Sequence, residues 1–149
     1  MDYKKAEEKI YSLLKKDENS EKILQNVVDF LQKNFKKYSW VGIYIIEGDD
    51  LVLGPWQGSH STEHTRIPVG EGVCGSAAEF GSTEIVPDVS KDSRYLACFV
   101  STKSEIVVPI IKNGETIGEI DIDSDVKNAF DDGDKLFLES IANKIKDIV

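Results

Sequence analysis

The chain has 149 residues, of which 40% are apolar and 30% charged, a size and balance that bury a core without disulfide or metal staples. A net charge of −9, from 27 acidic against 18 basic residues with the lysines interleaved among acids, excludes a basic face and with it a nucleic-acid partner. The longest apolar run, Ile106 to Ile111, is broken by Pro109, so no bilayer span and no membrane partner are expected.

The charged start, Met1 to Ile10, reads as helix and not as an export signal, and two cysteines in such a chain point to a reducing, cytoplasmic setting. Tyr3, Ala6, Ile10, Leu13 and Leu14 form one apolar stripe; after the Asp17–Ser20 break, Ile23, Val27, Phe30, Leu31 and Phe35 form a second. Asn19 or Ser20 is the candidate N-cap. These two helices occupy about residues 2–37. The period then switches to two over a sheet core at about 38–124. Strands at 40–46 and 51–56 form a hairpin, and a polar segment from Gly58 to Arg66 reads as a flexible flap. A glycine-punctuated turn and short helix span Gly70 to Gly81, followed by a strand at 84–86 and an irregular stretch from Asp88 to Thr102. Strands at 105–111 and 116–123 are joined through Asn113-Gly114, a two-residue hairpin signal. A last helix covers about 131–148. Antiparallel strands between terminal helices give an α+β fold, read as a single domain over 1–149.

Several residues are candidates for chemistry. Cys74 lies where a helix begins, and the partial positive charge there favours thiolate; the alternative is a small residue in a tight packing contact. Trp40 and Tyr44 share a strand face with Gly42 between them, which makes either a hollow for a small cationic group or a pair of core aromatics. Asp121 and Asp123 share another face, with Glu105 opening the partner strand: three acids suited to a ligand ammonium, or a solvated strand end. Cys98 sits in a loop between Arg94 and Lys103 and forms with Cys74 a pair able to exchange through a sulfenic acid. His60 and His64 have i, i+4 spacing, but their Ser, Thr and Gly neighbours place them in a loop; no metal and no cofactor is expected.

The hairpin register poses a condition. With Lys112 opposite Glu115, Glu105 falls opposite Ile122 and points away from both aspartates. Convergence of the three acids therefore requires a one-residue bulge, expected near Pro109, which cannot donate to a ladder.

Taken together, Ser39–Tyr44, Leu51–Pro55, Arg66–Gly75, Ser104–Pro109 and Gly118–Ser124 resemble the free methionine-R-sulfoxide reductases, small GAF-domain enzymes, over about residues 38–148. The resemblance implies a mostly antiparallel sheet with terminal helices on one face and a loop-capped pocket on the other. It implies reduction of free L-methionine (R)-S-oxide by Cys98 as nucleophile, through a sulfenic acid, with Cys74 as second cysteine. It places Trp40 and Tyr44 around the methyl and sulfur end of the substrate, and Glu105, Asp121 and Asp123 around its ammonium and the departing oxygen. A thioredoxin-type reductant and a homodimer are further expectations from the resemblance. Many members carry a third cysteine before the Arg-Ile-Pro-Val-Gly motif, where this chain has His64, so recycling is expected through Cys74 or an external thiol. Two other functions fit a GAF domain: a small-ligand sensor, and a two-cysteine redox sensor without turnover.

Overall fold

The computed structural model describes residues 1–95 and 101–149. Helix α1 (Tyr3–Leu14) is opened by Asp2, whose carboxylate accepts from the Lys5 N–H at 2.9 Å. Helix α2 (Ser20–Asn34) is opened by Asn19, which accepts from the Lys22 N–H at 2.8 Å. Each side chain satisfies one of the orphan donors of a helix start. Strands β1 (Trp40–Glu47), β2 (Asp50–Gly58), β3 (Arg66–Pro68), β4 (Glu84–Val86), β5 (Ser104–Lys112) and β6 (Glu115–Ser124) form one antiparallel sheet in the order β3-β2-β1-β6-β5-β4. Helix α3 (Gly72–Phe80) lies between β3 and β4 in the chain, and α4 (Asp132–Ile145) closes it.

The sheet has two faces of different chemistry because side chains alternate along each strand. Val41, Ile43, Ile106, Val108, Ile120 and Ile122 point one way and form the main core with α1, α2 and α4. Trp40, Tyr44 and Val107 point the other way, toward α3 and the loops, in a second and smaller apolar cluster. This is the expected α+β architecture with terminal helices on one face. Strand β3 was not anticipated: its three residues pair with Asp50–Val52 and extend the sheet beyond β2, inside a stretch that reads locally as turn. The segment expected as a flap from Gly58 to Arg66 ends in strand on both sides. It is also tied at its far end, where the Leu53 N–H donates to Thr65 O at 2.8 Å.

The β5–β6 hairpin sets the register on which the site depends. Asn113 and Gly114 both have positive φ, 53° and 78°, as a twisted two-residue hairpin turn requires. Lys112 pairs with Glu115 and Ile111 with Thr116, but Ile110 pairs with Gly118, so Ile117 is an extra residue on β6. From there the ladder is regular down to Ser104, and Glu105 faces Asp123. The required one-residue bulge is present, but its place differs from the expectation: Pro109 lies within the regular ladder opposite Glu119, and the shift falls one step beyond it on the partner strand. Proline is tolerated there because β4 pairs only with Glu105–Val107, so Pro109 interrupts no bond to β4.

One polar network ties the helix side together. Asp134, fully buried in the first turn of α4, accepts from Tyr38 Oη at 2.6 Å, Lys37 Nζ at 2.7 Å, Tyr3 Oη at 3.1 Å and the Asp131 N–H at 3.0 Å. Burial alone would raise its pKa, but the Lys37 ammonium, the Tyr38 hydroxyl and the Asp131 N–H together hold the carboxyl below the usual aspartate range. A depressed native pKa contributes stability above the unfolded value, and that stability is lost as pH falls through the native one. Asp134→Asn should therefore lower unfolding free energy at neutral pH by about 2–4 kcal/mol, the range expected for losing hydrogen bonds to a charged group in a buried network. In urea titrations the gap between wild type and variant should narrow below about pH 4, the ordinary carboxylate range. A gap independent of pH would assign Asp134 a packing role only.

Candidate functional site

On the face opposite the terminal helices, three adjacent strands present a small grid of side chains. Strand β1 supplies Trp40, Gly42 and Tyr44; β6 supplies Asp123, Asp121 and Glu119 directly beside them; β5 supplies Glu105, Val107 and Pro109 on the far side of β6. Asp123 thus lies between Trp40 and Glu105, Asp121 between Gly42 and Val107, and Glu119 between Tyr44 and Pro109. Glu105, Asp121 and Asp123 converge as the sequence predicts. Glu119 is a fourth acid that the sequence reading did not single out. Its signal was the same alternation with Ile120 and Ile122, extended by one step.

All four carboxyl groups are buried, Glu119 with no exposure and Glu105 with the most at 3%. None of the ion pairs among the described residues reaches any of them. Neither carboxylate oxygen of Glu119 or Asp123 has a hydrogen-bond partner among the described residues, and Asp121 Oδ1 has none. Burial, reinforced by Asp121 and Asp123, pushes the Glu105 carboxyl well above the usual range; burial and Asp121 do the same for Glu119 and Asp123. Asp121 is raised by burial too, though Glu105, Cys74 and the charge of His64 oppose the rise. A carboxyl raised in this way can hold a proton at neutral pH and donate it.

Cys74 is the third residue of α3 and packs down onto this row of acids, with its thiol 3.9 Å from Glu105 Oε2. The expectation of a thiolate at a helix start is corrected here. Burial raises the Cys74 pKa well above the usual thiol value, and Asp121, Glu119, Glu105 and Asp123 add to the rise. The acids outweigh the helix end because they lie in the same buried space, whereas the dipole of a short helix is a fractional charge. Cys98 lies outside the described residues, as does its distance to Cys74.

The aromatic pair also differs from the simple hollow. A Cβ on Gly42 would meet the Trp40 indole at 2.3 Å, and one on Gly58 would meet it at 2.4 Å. The indole itself lies across both glycines, so the missing side chains make room for Trp40 and leave no empty cradle. Trp56, opposite Gly42 on β2, stacks on Trp40 with centroids 6.2 Å apart and planes 18° apart. Tyr44 is fully buried and its hydroxyl donates to His64 O at 2.7 Å, which fastens the 59–65 connection over the grid. A small cleft of about 10 Å³, room for about one water, reaches the edge of the grid between Ser39, Trp40, His60, Thr102 and Asp123. Larger hollows elsewhere on the surface contain none of the four buried acids.

Residues 19–146 match the GAF domain family. The chain is 48% identical over 111 residues to the free methionine-R-sulfoxide reductase of Saccharomyces cerevisiae, covering 72% of this chain and 61% of the yeast protein. It is 36% identical over 126 residues to the Escherichia coli free methionine-R-sulfoxide reductase, covering 85% and 75%. It superposes on the Neisseria meningitidis free methionine-R-sulfoxide reductase, solved in complex with its substrate, with a TM-score of 0.92 at 36% identity, covering 98% of this chain and 87% of that one. The chain belongs to the free methionine-R-sulfoxide reductases. This oxidoreductase family is built on the GAF fold, and here that fold brings Trp40, Tyr44, Glu105, Asp121, Asp123 and Cys74 to one face of the sheet.

Because the indole of Trp40 occupies the space above Gly42, a methyl group there forces a large buried ring to move. Gly42→Ala should cost about 1–3 kcal/mol, the usual penalty of overpacking. It should also change the near-ultraviolet circular dichroism of the Trp40–Trp56 pair. An unchanged aromatic spectrum with unchanged melting temperature would mean that the ring does not rest on Gly42.

Proposed function

We propose that this chain reduces free L-methionine (R)-S-oxide to methionine, with Cys98 as the nucleophile. The observation that carries the reading is the buried row of acids that no lysine or arginine among the described residues pairs with. A row of this kind stores a large desolvation and repulsion cost that a bound cation relieves. The ammonium of a free amino acid supplies that charge, and the same group is absent from a methionine sulfoxide embedded in a peptide. Trp40 and Tyr44 then flank the methyl and sulfur end, where aromatic faces suit a polarised methyl sulfoxide.

The chemistry follows from the protonation states. The Cys98 thiolate attacks the sulfoxide sulfur, the protonated oxygen passes from that sulfur to the Cys98 sulfur, the transient sulfur–sulfur bond breaks, and methionine leaves as Cys98 becomes a sulfenic acid. The departing oxygen needs a proton, and the raised carboxyls of Glu105 and Asp123 are placed among the acids that donate one. A second thiol then condenses with the sulfenic acid, releasing water and forming a disulfide, which a thioredoxin-type reductant returns to two thiols. Cys74 is the second thiol in this reading. Its raised pKa argues against Cys74 as the first nucleophile and in favour of the other cysteine. The cytoplasmic setting, the homodimer and a single domain over the whole chain complete the proposal.

The direct test supplies free methionine sulfoxide as a mixture of sulfur epimers with dithiothreitol and separates the epimers afterwards. Loss of the R epimer alone supports the reading; survival of both in the presence of folded protein shifts it to ligand sensing or to redox sensing without turnover. Glu105→Gln, which keeps the shape and removes the charge, should raise KM at least tenfold. Cys98→Ser should abolish turnover while leaving amino-acid binding in place; loss of binding with the fold intact would make Cys98 a pocket wall. Cys74→Ser should leave a single turnover intact and slow the steady state. An unchanged steady state with a thioredoxin system would remove Cys74 from recycling.

A further inference from the structure

At the carboxylate row, a thiol sulfur meets two carboxylate oxygens. The Cys74 sulfur, one Glu105 oxygen and one Asp121 oxygen all lie within 4.8 Å of one another, and all three residues are buried. They come from α3, β5 and β6, so their spacing is set by helix-on-sheet packing and strand register, not by a loop. The contact between Cys74 Sγ and Glu105 Oε2 is already 3.9 Å. Tetrahedral coordination with bonds of roughly 2.3 Å to sulfur and 2.0–2.2 Å to oxygen needs a sulfur–oxygen separation of about 3.6 Å, a few tenths less.

Acidic clusters are common without an ion, so a second observation decides. Asp121 Oδ1 and both carboxylate oxygens of the adjoining Glu119 have no hydrogen-bond partner among the described residues, although Asp121 is 1% exposed and Glu119 not at all. Buried, unsatisfied carboxylate oxygens facing a thiol are groups that a cation satisfies. We infer that Cys74, Glu105 and Asp121 form a binding site for a divalent metal ion of the zinc class. One sulfur and two carboxylate oxygens are a borderline-soft set, suited to Zn²⁺ or Co²⁺ and unsuited to Mg²⁺ or Ca²⁺, which take oxygen alone. Binding exchanges the thiol proton for the metal: Cys74–SH and M²⁺ give a Cys74–S–M bond and a released proton. The ion and a ligand ammonium draw on the same carboxylates, so each excludes the other. Metal occupancy is thereby a reversible block on the pocket, and it ties up the very thiol assigned to recycling.

The site rests on geometry and is read without turnover. Reduced full-length protein is titrated with Co²⁺, following the thiolate charge-transfer absorption in the near ultraviolet and the ligand-field bands in the visible. One equivalent should bind, the charge-transfer band should appear, and Zn²⁺ should remove it. Cys98→Ser should keep the band. Cys74→Ser should lose it, and Glu105→Gln and Asp121→Asn should weaken Co²⁺ binding at least tenfold while the band persists at higher metal concentration. Circular dichroism and melting of each variant separate these effects from unfolding. A band that survives Cys74→Ser, a band lost in Cys98→Ser, or no saturable binding below millimolar Co²⁺ would overturn the site. Turnover is measured separately in chelator, so an inactive protein with a Cys74-dependent band keeps the metal site and rejects the reductase reading, and the converse pattern does the reverse.

Discussion

Four carboxyl groups in one dry space, with no lysine or arginine among the described residues paired to them, are the constraint around which this molecule is organised. Two unit charges 4 Å apart repel by about 4 kcal/mol at an effective dielectric of 20, and desolvation adds to that. Full ionisation of Glu105, Glu119, Asp121 and Asp123 would consume much of the free energy that holds a domain of this size together. Burial and mutual repulsion therefore push these carboxyls above the usual range, and a cation entering among them relieves part of that repulsion. Burial and the same four acids push the Cys74 thiol pKa up despite its place at a helix start.

Such a row survives only because the other face of the sheet is conventional. Ile106, Val108, Ile120 and Ile122 alternate with the acids and are buried against three helices, so each strand that carries a destabilising residue outward also carries a stabilising one inward. Asp134, the buried carboxylate on the helix side, is treated in the opposite manner: it accepts from Tyr3, Lys37 and Tyr38, and its pKa is held below the usual range. Two buried aspartate environments in one chain thus differ by partners and not by depth. The paired one is held below the usual carboxylate range and the others above it.

Much of this was legible in the residues. The amphipathic stripes of α1 and α2, the Asn113-Gly114 turn and the alternation along β5 and β6 are short-range signals, and each marks its element closely. The need for a bulge could be argued from parity alone, since Glu105 and Asp123 fall out of register without one. Its position could not, because Pro109 fits a ladder whose outer neighbour stops at Val107, and Ile117 takes the extra place instead. Strand β3 escaped for a related reason: three residues hold no period, and only the pairing with Asp50–Val52 makes them a strand. The state of Cys74 and the lie of Trp40 over Gly42 depend on residues far away in sequence. Helix-start chemistry and glycine spacing left two readings open at each place, and the buried packing reading is the one the fold takes.

The single additional residue at Ile117 makes the length of this hairpin a carrier of information. Side chains on a strand alternate, so removing one residue between Lys112 and Gly118 turns over everything beyond it relative to the turn. Asp121 and Asp123 would then face the oily interior, and Ile120 and Ile122 the side that carries α3. A loop connecting two strands is ordinarily where insertions and deletions are harmless. In this chain an even change in the tip preserves the site and an odd one exchanges a pocket for a core, so the connection that looks most expendable is the one whose residue count must keep its parity.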